Sequence, residues 1–251
     1  MRFLFPFLTS FIFLSFGSTE KKSTSSQTLR SYEEKDLFDS EEILSFTLKG
    51  NIRELLNDRA TKSTYRSVTL SYPDKDNSEV TIPVQMKTRG HFRKIKGNCK
   101  YPPLQISFPA DVDRLSPVFK GQTKLKLVMP CAGDDYVVRE WLVYKIYNLV
   151  TPQSFKARLV RITLLDSKSK KQQGPFYGFL IENEKHMASR NKATVVEQKL
   201  RPEETKQDVF LTMAVFQYLI GNTDWSIQYL QNIKLLKTTS SPQLTTVPYD
   251  F

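Results

Sequence analysis

The sequence has few of the residues on which most catalytic sites depend. Its 251 residues include two histidines, His91 and His186, and two cysteines, Cys99 and Cys131. So few histidines exclude a histidine-rich metal site, and no segment fits a thiol protease or a G-x-S-x-G hydrolase. The phosphate-binding patterns G-x-x-x-x-G-K-[ST] and G-x-G-x-x-G are also absent. Carboxylates, amides and lysines therefore remain as the candidate catalytic groups.

Acidic residues are outnumbered, but the excess positive charge is not concentrated in one place. The chain has 37 Lys and Arg residues against 26 Asp and Glu residues, a formal net charge of +11. The basic residues are scattered, and we find no basic helical stripe and no signature of a DNA-binding or RNA-binding motif. We therefore expect no nucleic-acid partner and interpret the charge mainly as solvated surface.

Long apolar runs are also scarce, except at the N terminus. Residues 3–16 are almost all apolar and follow the positive charge of Arg2, so residues 1–17 are predicted to be a secretory signal peptide. An uncleaved anchor is the alternative, although spanning a bilayer takes about 20 apolar residues. No other segment is apolar enough to span. We expect a secreted, periplasmic or cell-surface protein without a transmembrane segment after signal cleavage.

The remaining chain divides into three predicted regions. Residues 18–40, rich in Ser, Thr, Lys and Glu, read as a flexible leader. Residues 41–182 contain several short runs of alternating apolar residues, including a hairpin of Arg66–Tyr72 with Val80–Thr88, and form a sheet-rich region. Residues 183–251 form a helical region that ends in a hairpin. Runs of strands followed by helices favour an α+β fold.

Two long helices are predicted from apolar spacing. The first covers Tyr136–Val150, with Asp134 and Asp135 as an acidic N-terminal cap, and the second covers Glu203–Ile220 and stops at Gly221. The expected buried stripe of the first helix consists of Val138, Trp141, Leu142, Ile146 and Leu149.

The two cysteines leave two interpretations open. Export would permit a disulfide between Cys99 and Cys131, which would join the loop after Arg89-Gly90 to the loop before the first long helix. Two buried free thiols are equally consistent with the sequence, because spacing alone does not establish a bridge.

Three polar residues near the end of the chain form the best candidate for a catalytic set. Asp224 lies in an acidic loop, Asn232 opens a strand and Asp250 closes a second strand. If the two strands are neighbours, two carboxylates and one amide approach each other. Such an oxygen-rich set suits Mg²⁺ and phosphate groups. Taken singly, each residue is also explained as an ordinary turn or strand-end residue.

Several segments, in order, resemble the CotH kinase family, the spore coat protein H type of atypical protein kinase. The resemblance covers about residues 80–251. The segments are Lys87-Thr88-Arg89-Gly90-His91-Phe92-Arg93, Pro102 to Phe108, Lys124 to Leu127, Arg139-Glu140, Gly178 to Glu182, Asn222 to Trp225, Asn232, and Pro248-Tyr249-Asp250-Phe251.

This resemblance implies a protein-kinase-like fold, in which an N-lobe sheet plus helix is joined to an incomplete C-lobe. It implies binding of ATP and Mg²⁺ and transfer of phosphate to a protein substrate. Asp224 would be the catalytic aspartate, and Asn232 and Asp250 would be metal ligands. Because the family continues beyond the segment that matches Asp250-Phe251, we expect this chain to be a fragment that has been cut short; the alternative is a complete product with an incomplete metal site and no activity.

The resemblance also implies a set of nucleotide-binding residues. Glu140 would pair with the nucleotide-binding lysine, for which Lys126 is preferred over Lys124 and Lys87 because its strand directly precedes the helix. Arg89 would belong to the turn that covers the phosphates, and Glu182 would lie at the hinge near the adenine. The alternative function is a non-catalytic secreted binding or surface-assembly protein.

Overall fold

A closed seven-stranded barrel is the largest unit of the computed structural model, which describes residues 36–239 and 241–251. The barrel order is β1-β2-β3-β4-β5-β7-β6, and the parallel pairing of β6 with β1 closes it. The other neighbouring strands are antiparallel. The strands are β1 (Leu44–Gly50), β2 (Arg66–Pro73), β3 (Glu79–Thr88), β4 (Leu104–Ser107), β5 (Lys124–Val128), β6 (Ala157–Asp166) and β7 (Gln172–Ile181).

A second sheet and five α-helices complete the described residues. The sheet has the order β10-β9-β8 and is antiparallel. Its strands are β8 (Ala193–Val196), β9 (Ile233–Thr238) and β10 (Thr245–Pro248). The helices are α1 (Ile52–Asn57), α2 (Val112–Leu115), α3 (Asp134–Val150), α4 (Glu184–Arg190) and α5 (Gln207–Leu219), and short 3₁₀ turns cover Phe92–Lys94 and Pro202–Glu204.

The closed barrel shows that the predicted kinase-like fold is wrong. An N-lobe sheet has free edges, whereas here β1 pairs with β6 along its whole length, from Leu44 opposite Val160 to Gly50 opposite Asp166. Closure removes the edges of the sheet and gives its interior a continuous core. Several predicted elements are nevertheless confirmed, including the β2–β3 hairpin and the final β9–β10 hairpin.

Strands β5 and β7 are buried on both faces. Leu127 and Leu180, which are opposite each other, belong to the core cluster of the barrel interior. The next pair, Val128 and Phe179, belongs to a second core cluster that includes residues of α3 and of the β9–β10 hairpin. Because successive side chains point to opposite faces of a strand, these two strands join the barrel to the outer elements.

Helix α3 buries a different face from the one predicted. Its buried side chains are Val137, Glu140, Tyr144 and Tyr147. In the predicted stripe, Leu142 and Ile146 are exposed and Leu149 is 89% exposed. The prediction ranked residues by apolarity, whereas two large tyrosine rings occupy the core side. The residue at the N-cap is Gly133, so Asp134 and Asp135 lie in the first turn and do not act as the cap.

The structure also bears on the cysteines and on the start of the chain. Cys99 and Cys131 form a disulfide, so the alternative of free thiols is wrong.

Leu37 and Phe38, at the end of the predicted leader, are buried in the core, whereas the predicted signal peptide and the rest of the leader lie outside the described residues. Within residues 36–239 and 241–251, no helix has the length and apolarity needed to cross a bilayer.

Gly178 of β7 offers a test of barrel packing. A Cβ atom at this position would lie 2.4 Å from Ile162 Cδ1 and 2.8 Å from the carbonyl oxygen of Val128. We expect Gly178→Ala to lower the free energy of unfolding by about 1–3 kcal/mol, because close-packed cores resist added volume. Urea denaturation measures this loss. The exposed Thr81→Ala substitution is the control, with an expected change within about 0.5 kcal/mol. Equal stability of the two variants would contradict the described packing.

Candidate functional site

The three residues predicted from the end of the chain are brought together. Asn232 immediately precedes β9, and its Nδ2 donates to the backbone oxygen of Asp224 at 2.8 Å and to Oδ2 of the same residue at 3.2 Å. Tyr249, directly before Asp250, donates its backbone N–H to the carbonyl oxygen of Asn232 at 3.0 Å. The pairing of β9 with β10 therefore places Asp224, Asn232 and Asp250 at one end of the second sheet. We call this group of three residues the corner.

A short loop presents the Asp224 carboxylate to solvent. Ser226 and Gln231 exchange backbone hydrogen bonds of 3.0 and 2.9 Å, which closes the loop into a tight hairpin. Gln231 Nε2 donates to Asp224 Oδ1, and Asn232 Nδ2 donates to Oδ2. Both carboxylate oxygens thus accept an amide N–H, which fixes the orientation of the carboxylate. The Asp224 side chain remains exposed.

Lys126 lies on the outer face of β5, beside this corner. Its Nζ is 4.6 Å from the ring centre of Tyr249 and 5.9 Å from that of Phe155. Burial and, to a lesser extent, the positive charge of Arg89 lower the pKa of Lys126 to about 8, although Asp250 and Glu184 act in the opposite direction. A half-buried lysine with a lowered pKa beside carboxylates is typical of functional sites.

Glu140 pairs with Arg93, so the expected Lys126–Glu140 pair is not formed. Arg93 Nη2 lies 2.9 Å from Glu140 Oε2, and the Glu140 side chain is 8% exposed. Burial raises the pKa of Glu140, and Arg93 opposes that rise. Asp250 acts on both partners through its charge. The sequence contained Arg93 within the segment that resembles the CotH family, but no spacing rule linked it to the helix.

The loop that carries Arg93 is held by two anchors. The guanidinium group of Arg59 donates to four carbonyl oxygens of this loop, those of Arg93 (3.4 Å), Lys94 (3.3 Å), Cys99 (3.3 Å) and Lys100 (3.1 Å). The Cys99–Cys131 disulfide joins the end of the loop to the segment that leads into α3. Because Glu140 lies on α3, these anchors support both sides of the Arg93–Glu140 pair.

The other predicted nucleotide-binding residues have different surroundings. Arg89 directly follows β3, and its backbone N–H donates to Pro103 O at 2.9 Å. Its positive charge lowers the pKa of Lys126. Glu182 is buried and accepts from Arg190 Nε at 3.1 Å and Nη2 at 2.9 Å, so its carboxylate braces α4 against the end of β7. Arg89 therefore belongs to the corner, whereas Glu182 has a structural partner.

The two other candidate lysines do not share the position of Lys126. Lys87 Nζ lies 4.6 Å from the ring centre of Tyr65, and the side chain of Lys124 is exposed. Lys234 of β9 is closer to the corner, 5.9 Å from the ring centre of Tyr249, but forms a 3.0 Å salt bridge with Glu184. Lys126 is therefore the lysine whose charge is least compensated there.

The corner contains oxygen donors of the type that magnesium prefers when it is shared with phosphate groups. Among the described residues, no group of three or more His, Cys, Asp or Glu side chains could hold a metal ion alone. Mg²⁺, however, usually binds one or two carboxylates together with substrate phosphates and water. Asp250 provides a carboxylate, and Asn232 provides Oδ1 because its Nδ2 already donates to Asp224. These oxygens suit such a shared ion.

The comparisons with known proteins leave the site to be interpreted from its own chemistry. No family model, no curated protein and no solved structure matches the chain. The corner combines an exposed, oriented carboxylate with two oxygen donors and a half-buried lysine. Two arginines lie near these residues: the charge of Arg89 acts on Lys126, and the charge of Asp250 acts on Arg93. This is a composition suited to phosphorylated ligands.

The lowered pKa of Lys126 predicts a pH dependence of stability. In the folded protein Lys126 loses its proton near pH 8, and in the unfolded chain near 10.5. Between these values the unfolded chain binds more protons, so Lys126 makes the free energy of unfolding rise with pH. Lys126→Met should remove this contribution and flatten the rise. Urea denaturation between pH 7 and 10 measures the slope.

Lys185→Met is the matched control for this prediction, because Lys185 is an exposed lysine of α4. It should keep the slope of the wild-type protein. Identical slopes for Lys126→Met and the wild-type protein would show that Lys126 does not titrate in this range.

Proposed function

We propose that the protein is an exported phosphotransferase that transfers the terminal phosphoryl group of ATP, with Mg²⁺, to a hydroxyl group of a protein. The observation that carries this proposal is the hydrogen bonding of Asn232, just before β9, to Asp224. Asp250 lies nearby because Tyr249, the residue before it, donates its backbone N–H to Asn232. Phosphoryl transfer asks for a positioned base, oxygen ligands and cations, and little covalent chemistry. The corner contains each of these groups.

Asp224 is the base of the proposed reaction. Its exposed carboxylate accepts the proton of the acceptor hydroxyl as the hydroxyl oxygen forms a bond to the γ-phosphorus. The bond from phosphorus to the oxygen that bridges to the β-phosphate breaks, and ADP leaves with that oxygen. The amide N–H donors of Gln231 and Asn232 keep the carboxylate oriented.

The cations around the corner bind the phosphate groups. Lys126, Arg89 and Arg93 supply positive charge, and Arg93 is kept in place by Glu140. Asp250 and Asn232 would hold Mg²⁺, which supplies charge neutralisation on the phosphate oxygens when it is bound. Phosphate binding also relieves the repulsion between Lys126 and Arg89, because an anion compensates both charges.

Two sequence features support the proposal of an exported enzyme. The segments that resemble the CotH kinase family include the residues that meet in the corner, although the barrel is not a kinase-like fold. The Cys99–Cys131 disulfide suits the oxidising compartment to which the predicted signal peptide would direct the chain.

A non-catalytic binding protein is the second candidate, and exposed apolar side chains favour it. Helix α5 exposes Leu211, Val215, Tyr218 and Leu219, with exposed fractions from 56% to 88%. On α3, Leu149 is 89% exposed. Clusters of exposed apolar residues often mark surfaces that bind other macromolecules. This candidate predicts partner binding without binding of ATP.

Asp224→Asn tests the proposed reaction. Asparagine keeps the shape of the side chain but does not accept the proton, so phosphate transfer should fall by a factor of about 10²–10⁴. The affinity for ATP with Mg²⁺ should change little. Transfer of labelled γ-phosphate to dephosphorylated casein and to the protein itself measures the rate, and calorimetry measures the affinity.

Asp208→Asn, on the exposed surface of α5, is the matched control and should transfer phosphate at the wild-type rate. Equal transfer by Asp224→Asn and the wild-type protein would contradict the role of Asp224. A wild-type protein that neither transfers phosphate nor binds ATP with Mg²⁺ would favour the binding protein.

A further inference from the structure

Two tyrosines of α3 have the same burial but differ in what their hydroxyl groups do. Tyr144 and Tyr147 are each 1% exposed. Both rings pack near Phe251, with ring centres 4.8 and 6.1 Å from the Phe251 ring. Tyr144 Oη accepts the backbone N–H of Asp250 at 2.8 Å. Tyr147 Oη has no hydrogen-bond partner among the residues that the structure describes.

The Asp250 backbone needs such a partner because it departs from the strand. Strand β10 ends at Pro248, and the last hydrogen bond toward β9 comes from Tyr249 to Asn232 at 3.0 Å. Asp250 then adopts a left-handed conformation with φ of 55°. This conformation is unfavourable for most residues, so surrounding contacts must hold it. The Tyr144 hydroxyl provides a contact from another element, 106 residues earlier in the chain.

The surroundings of Tyr144 keep its hydroxyl neutral. Burial raises the pKa of Tyr144 well above its usual value, and the nearby carboxylates of Asp250 and Glu140 raise it further. A neutral hydroxyl accepts the Asp250 N–H and keeps its own proton. Glu140, which lies one turn before Tyr144 on α3, is itself bound by Arg93.

We infer that Tyr144 is a positioning residue of the proposed site, whose hydroxyl fixes the Asp250 backbone and thereby the place of the Asp250 carboxylate. This inference rests on the proposed phosphotransferase, in which Asp250 is a ligand of Mg²⁺. Tyr144 itself does not touch the reacting groups. Tyr147 makes the same kind of ring contacts, but its hydroxyl has no role in holding Asp250.

The test compares Tyr144→Phe with Tyr147→Phe, since each removes one buried hydroxyl and keeps the ring. In Tyr144→Phe the Asp250 amide hydrogen should exchange with solvent about 10-fold faster, because it loses its acceptor. The Mg²⁺ concentration for half-maximal binding of ATP should rise about 5-fold to 10-fold, the usual effect of one lost hydrogen bond. NMR measures the exchange, and calorimetry at several Mg²⁺ concentrations measures the binding.

Tyr147→Phe should leave both quantities at their wild-type values. Equal behaviour of the two variants, in exchange and in Mg²⁺ requirement, would overturn the inference. Melting temperatures of both variants show whether a change in binding merely follows a loss of stability.

A double variant separates a positioning role from a general structural one. Asp250→Asn keeps a residue that tolerates the left-handed conformation and removes the carboxylate charge, so it should raise the Mg²⁺ requirement. If Tyr144 acts through Asp250, adding Tyr144→Phe should raise the requirement no further. A full additional effect of Tyr144→Phe in the Asp250→Asn background would overturn the inference.

The outcomes also distinguish this inference from the function on which it rests. If Asp250→Asn leaves the Mg²⁺ requirement unchanged, or the wild-type protein does not bind ATP, the proposed function fails. If Asp250→Asn raises the requirement and Tyr144→Phe does not, only the role of Tyr144 fails.

Discussion

The double burial of β5 and β7 is the constraint on which the rest of the structure depends. Leu127 and Leu180 fill the barrel, and Val128 and Phe179 pack against the outer elements. Lys126 shares the outer face with Val128, because side chains alternate along a strand. The same alternation that fills the barrel therefore places Lys126 beside Tyr249 of the second sheet. The barrel and the candidate site are built from the two faces of the same strands.

Much of the local structure was predictable, but the closure of the barrel was not. Alternation and turn residues were sufficient for the β2–β3 hairpin, whose strands are close in sequence. Closure depends on the parallel pairing of Leu44–Gly50 with residues 160–166, more than a hundred residues later. No local pattern contains that pairing, and the resemblance to a kinase family predicted a different, open sheet.

The buried face of α3 was missed for a different physical reason. Apolarity predicted that Leu142 and Leu149 would be inside, yet the tyrosine rings of residues 144 and 147 occupy the core. An aromatic ring buries more surface than a leucine side chain, and a tyrosine hydroxyl can be satisfied inside the protein. Glu140 and Tyr144 have partners from other segments, Arg93 and the Asp250 N–H, whereas the Tyr147 hydroxyl has none among the described residues.

The residues of the candidate site were predictable from the sequence in part, but their contacts were not. Asp224, Asn232 and Asp250 could be grouped because a hairpin brings its two ends together, whatever the overall fold. The partner of Glu140 and the acceptor for the Asp250 N–H come from distant segments, so their identities followed only from the folded structure. Fixed contacts of this kind, supplied by Arg93 and Tyr144, are what turns nearby polar residues into an ordered site.

The left-handed backbone near the corner has a consequence for how the sequence can change during evolution. Asn232 and Asp250 both have positive φ, 51° and 55°. Among residues with a side chain, asparagine and aspartate tolerate this conformation best, and glycine is the other ready substitute. Backbone geometry alone would thus restrict both positions to a small set of amino acids. If related sequences keep Asn and Asp at these positions, selection acts on both the left-handed backbone and the side-chain oxygen. A glycine at either position would preserve the backbone conformation but remove the side-chain oxygen.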